Sequence, residues 1–187
     1  MKTKKYIPVI IIAATSVFSM FLTAFLPGVI YEGKVDGSVV PTTVSLVGMM
    51  FGSSELYTVT TKRTIEAPYI GGLSTFGLVA FILLALSLLC VIIAIVIEKN
   101  SLVGIGAAFS VLAGIAVLFI LVGGTNITAV TENNYLYDSN YKFSYFFNGF
   151  KLGAGTIIFF ILNFTSGLVS GILWLLKTKE QTKQIKR

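Results

Sequence analysis

A chain of 187 residues that is 55% hydrophobic and only 12% charged, with a mean hydropathy of +0.89, carries more apolar surface than a water-soluble domain of this size can bury. Its net charge of +6 would suit a polyanion, but the basic residues flank apolar blocks instead of forming one patch, so nucleic acid is not an expected partner. There is no histidine, which removes the commonest general base and metal ligand, and no Gly-rich loop followed by Lys-Ser or Lys-Thr to hold phosphates.

Residues 1–6 hold Lys2, Lys4 and Lys5 ahead of the first apolar block, residues 7–26. A basic start before an apolar run also describes a secretory signal; the block exceeds the usual signal core of roughly 7 to 15 residues, and no small-x-small cleavage site precedes Pro27, which favours a retained first span. Three further blocks, 73–97, 102–122 and 152–176, contain no Asp, Glu, Lys or Arg. Each is long enough to cross a hydrocarbon core of about 30 Å as a helix. The expected fold class is an all-α transmembrane four-helix bundle with a small antiparallel β-sheet outside.

The segment 27–72 reads as β-rich. Val29 to Val35, the turn dipeptide Asp36-Gly37 and Ser38-Val39-Val40 suggest a hairpin, and Glu55 to Ile65 alternates in the manner of a further strand, giving a sheet of about three strands. Val44 to Phe51 fits either a middle strand or an apolar loop resting on the membrane surface. The four residues 98–101 between spans two and three demand a tight antiparallel turn, in which Ser101 can cap the third helix. The only cysteine, Cys90, lies within the second span, so no disulfide can form inside the chain.

The second outer segment, 123–151, concentrates Tyr135, Tyr137, Tyr141, Phe143, Tyr145, Phe146, Phe147 and Phe150. As a strand, Tyr141, Phe143, Tyr145 and Phe147 would share one face. They suit an interfacial aromatic belt packed on the first-loop sheet, a partner-binding patch, or both.

Orientation follows from the positive-inside rule. Lys2, Lys4, Lys5, Lys99, Lys177, Lys179, Lys183, Lys186 and Arg187 fall on one side against Glu98 and Glu180. Lys34, Lys62, Arg63, Lys142 and Lys151 fall on the other against Glu32, Asp36, Glu55, Glu66, Glu132 and Asp138. Both termini, the 98–101 turn and the basic tail 177–187 are thus expected in the cytoplasm of a multi-pass cell-membrane protein. The tail suits a stop-transfer flank and can also attract anionic headgroups.

No span holds an ionisable side chain of the kind that ion-coupled transporters use. The most polar interior residue is Asn163, with Thr156, Thr165, Ser166 and Ser170 on the same span. Gly106, Ser110 and Gly114 in span three, and Gly167 and Gly171 in span four, repeat at a spacing that puts small residues on one helix face, where backbones approach closely. These residues and Asn163 are expected to pack helices within the bundle, against another copy or against another membrane protein. Asn126-Ile127-Thr128 fits the N-glycosylation pattern but follows the third span closely.

In the order of its parts the chain resembles the claudin-like four-span membrane proteins: short inner N-terminus, long β-rich first outer loop, tight inner turn, shorter second outer loop and basic tail. The resemblance is one of topology. That family's marker, a Trp followed by Gly-Leu-Trp and two Cys in the first outer loop, has no counterpart, since residues 27–72 contain neither Trp nor Cys and the only tryptophan is Trp174. Its adhesion and pore roles therefore transfer to no particular residue. The composition points to a non-enzymatic component without cofactor, an accessory subunit or an outer-surface contact or adhesion protein. The alternative is a channel or transporter subunit with a path lined by Ser, Thr and Asn of span four.

Overall fold

A computed structural model of the chain describes residues 6–35, 38–51, 54–56, 69–71, 74–121, 128–130, 136–137 and 150–185. In chain order the elements are α1 (Ile7–Phe25), β1 (Pro27–Val35), β2 (Ser38–Ser45), α2 (Leu46–Phe51), β3 (Ser54–Leu56), β4 (Tyr69–Gly71), α3 (Thr75–Val96), α4 (Ser101–Leu118), β5 (Thr128–Val130), β6 (Leu136–Tyr137), β7 (Phe150–Leu152) and α5 (Ala154–Ile185). Among the described residues four helical stretches are long and apolar enough to cross a membrane: α1, α3, α4 and Ala154–Lys179 of α5.

These helices bury many of their polar side chains and expose many of their large apolar ones. Ser16, Ser19, Ser87, Ser110, Asn163 and Ser170 are buried, while Phe18, Ile82, Leu89, Leu112, Ile161 and Ile172 are exposed. A bundle folded in water shows the opposite distribution, because exposed apolar faces of this extent lack a favourable solvent there. Lipid supplies one. The chain thus has the build of a multi-pass membrane protein.

One compact unit comprises Met1–Met20, Ala80–Ile115 and Phe160–Arg187. Its core joins all four long helices: Val9 and Ile12 of α1, Val91 and Ala94 of α3, and Val103 and Ala107 of α4, with Trp174 of α5 packed against them. Helix α3 ends where Glu98 takes a left-handed φ of 53°, a conformation that stops helices. The first amides of α4, those of Leu102 and Val103, then donate to the carbonyls of Lys99 and Asn100. Helix α5 continues to Ile185, well beyond the expected end of the span at residue 176. The physical reason is local: residues 177–185 contain Lys, Glu and Gln, all good helix formers, and no Gly or Pro.

The other unit, Phe21–Val79 with Ala116–Phe159, holds the strands. Among the described residues they form two antiparallel sheets, β2-β1-β7 and β3-β4-β5-β6, where one sheet of about three strands was expected. Each sheet takes strands from both connecting segments: Val29 pairs with Val44 and Leu152, and Ile70 with Glu55 and Ala129. The expected hairpin is present and longer than expected, running from Pro27 to Ser45, with Asp36 and Gly37 outside the described residues. Leu46–Phe51, expected as strand or loop, is a short helix instead. Ser45 explains it, because its hydroxyl accepts from the Gly48 amide at 3.1 Å and so caps a helix where the strand ends. Leu46, Met49 and Met50 are then fully buried.

A register shift between Pro27 and Val29 makes Gly28 the bulged residue at the start of β1. Its carbonyl accepts from the Gly153 amide at 2.8 Å and from the Thr156 hydroxyl at 2.7 Å, which fastens the beginning of α5 to the strand. The chains meet too closely for side chains. A β-carbon on Gly28 would lie 2.6 Å from Leu46 Cα, and one on Gly153 2.1 Å from the Pro27 carbonyl oxygen.

Candidate functional site in the helix interior

The buried face of α5 carries Phe159, Asn163, Ser166, Gly167 and Ser170, which fall on one helical stripe. At its centre the Asn163 side-chain amide donates to Ser19 Oγ of α1 at 2.9 Å. The Asn163 backbone carbonyl accepts from Ser110 Oγ of α4 at 2.9 Å and from Ser166 Oγ at 3.3 Å. Three helices thus share one polar knot. The Ser110 and Ser166 hydroxyls are also 3.4 Å apart.

The same chemistry recurs at other helix contacts. Ser170 Oγ donates to the Pro8 carbonyl at 3.3 Å, and Ser87 Oγ of α3 donates to the Gly106 carbonyl at 2.7 Å. In the strand-bearing unit, Ser74 Oγ donates to the Ile120 carbonyl. The Pro8 and Gly106 carbonyl oxygens, which lie within helices, keep a second lone pair after accepting their helical bond, so these contacts add to the helices without breaking them. Ser16 Oγ, fully buried, has no hydrogen-bond partner among the described residues. Thr165 faces the other way: it is exposed, with its hydroxyl turned back to the Ile161 carbonyl at 2.6 Å.

The small residues differ among themselves. A β-carbon on Gly167 would come within 2.7 Å of the Ala107 carbonyl oxygen and 2.9 Å of the Val111 amide. On Gly114 it would lie 3.0 Å from the Phe164 amide nitrogen, and on Gly106 3.0 Å from Val91 Cγ2 and 3.1 Å from the Ser87 carbonyl oxygen. Gly171 has only Ala107 Cβ near it, at 3.8 Å. A β-carbon on Gly104, not singled out in the sequence, would lie 2.9 Å from the Trp174 ring. Its spacing to Ala107 and Ala108 was the available signal. For Ser16 and Ser19 the signal was the three- and four-residue spacing of Ser16, Ser19 and Thr23 along α1.

Tyr141, Phe143, Tyr145 and Phe147, expected to bind a partner, lie outside the described residues, as does Asn126. Among the described residues no three Cys, Asp or Glu side chains come together. The interior therefore offers hydroxyls, one carboxamide and close backbone contacts. Such groups associate helices, each interhelical bond contributing about 0.6 kcal/mol on average.

No family model matches the chain, and no curated protein matches it.

Proposed function

We propose that this chain is a non-enzymatic protein of the cell membrane that works by contact, either as an accessory subunit of a membrane complex or as an outer-surface contact or adhesion component. The observation that carries this reading is the use made of the polar interior. Asn163, Ser110, Ser170 and Ser87 bond neighbouring helices, and the sequence places no ionisable group beside them. The bias of Lys and Arg supports cytoplasmic termini and an outward-facing position for 27–72 and 123–151. Strands from both segments in common sheets support a folded outer platform, and the topological likeness to claudin-like proteins agrees with a contact role. The aromatic run around Tyr141 to Phe147 is the partner-binding surface of this reading, because Tyr and Phe bury large areas with few torsions to fix.

The test is purification in mild detergent followed by mass measurement, on the unaltered chain and on the Tyr141→Ser, Tyr145→Ser double variant. The expected result is a stable complex with another membrane protein, lost in the variant while expression and membrane insertion persist. A homo-oligomer alone that passes ions or solute in liposomes would replace this reading with the channel or transporter subunit. A double variant that keeps every partner would remove the aromatic surface from the proposal.

A further inference from the structure

Helices α4 and α5 are held closely together at Gly167, yet beside that contact they leave an open apolar cleft of about 260 Å³. Ala108 and Val111 line one wall, Leu168, Gly171 and Ile172 the other, and Trp174 stands at one end, packed on Gly104. The end marked by Trp174 is also the basic end. Helix α5 continues past it to Lys177 and Lys179, while Lys99 lies just ahead of the first turn of α4. Lys99 and Lys179 are exposed; Lys177 is half-buried with its Nζ 3.5 Å from Asn100 Oδ1, and Glu98 is the acid of the same turn.

Lys179 follows Leu175 of the cleft by four residues and so continues the same helix face. It stands about 8 Å along the axis from Trp174, at about 1.5 Å per residue. An apolar slot leading into a cationic rim matches an amphiphile with a hydrocarbon chain and an anionic head. We propose that the cleft binds an acyl chain of an acidic phospholipid, with the headgroup phosphate held by Lys99 and Lys179. This assignment rests on the membrane reading above and adds a lipid preference to it.

Trp174 is the only tryptophan, so its fluorescence reports on the cleft directly. The full chain is reconstituted into phosphatidylcholine vesicles containing a small fraction of either phosphatidylglycerol or phosphatidylcholine with brominated acyl chains, and flotation records whether it enters the bilayer. The expected result is half-maximal quenching at a several-fold lower fraction of the brominated phosphatidylglycerol, with the difference shrinking at high salt. Lys99→Gln combined with Lys179→Gln should bring the two lipids together. Gly171→Leu, at a position with space for a side chain, should fill the slot and weaken quenching by both. Equal quenching of the unaltered protein would mean ordinary boundary lipid and overturn the proposal, as would a preference that survives the double lysine variant. A chain that floats but is quenched by neither lipid has its cleft covered by protein, a second copy or a partner, which also overturns it. Failure to float would overturn the membrane reading itself.

Discussion

Gly167 and Gly171 look alike in the sequence, as two small residues four apart on one helix, but they occupy different environments. At Gly167 an added β-carbon meets backbone atoms of α4, which cannot move aside as a side chain would; at Gly171 it meets a methyl group at ordinary contact distance. Gly167→Leu should therefore lower the melting temperature in detergent by the equivalent of about 1 to 3 kcal/mol of overpacking. Gly171→Ala should be neutral or stabilising by up to about 1 kcal/mol, because alanine favours the helix and nothing obstructs it. Equal destabilisation by the two would contradict the geometry. The Asn163 amide and the Ser19 hydroxyl offer a second residue-level measurement. A double-mutant cycle of Asn163→Ala and Ser19→Ala should give a coupling of about 0.6 kcal/mol, and at most about 1.7, whereas a value near zero would remove this bond as a helix tether.

At the scale of elements, short helix α2 and the start of α5 show how single residues decide where secondary structure changes type. Ser45 ends β2 and caps α2, so Ser45→Ala should destabilise the fold by about 0.5 to 2 kcal/mol and speed amide exchange across Leu46–Phe51. Unchanged exchange there would assign the helix to burial of Leu46, Met49 and Met50 alone. Gly153 sits where α5 leaves β7 and touches the carbonyl of Pro27, leaving no room for even a methyl group. Gly153→Ala should separate β1 from β7 and expose the amides of that ladder, at a cost of at least about 1 to 3 kcal/mol. Retention of their protection would show that the junction can widen.

For the whole molecule, a direct test of the proposed orientation uses single cysteines in a Cys90→Ala background. Ser53→Cys and Ser139→Cys should react with an impermeant thiol reagent on intact cells and Gln181→Cys should not; the reverse pattern would invert the topology. The four apolar helices were legible in the sequence because crossing hydrocarbon demands a long uncharged run, a one-dimensional property that needs no knowledge of neighbours. The Pro27–Ser45 hairpin was legible in part, from its β-branched residues and the Asp36-Gly37 turn signal. Strand β4, the sharing of each sheet between two distant segments and the helix at Leu46–Phe51 were not, because three-residue strands carry almost no pattern of their own and exist through the partners they pair with. The same division runs through the helix interior. Sequence alone determined which residues were small or polar enough to sit between helices, since size and hydrogen-bonding capacity belong to the residue itself. Only the tertiary structure decided that Asn163 meets Ser19 and Ser110, that Thr165 faces outward and that Gly167 is closed in while Gly171 borders an open cleft, because each depends on how neighbouring helices are rotated about their own axes, which a list of spacings leaves undetermined.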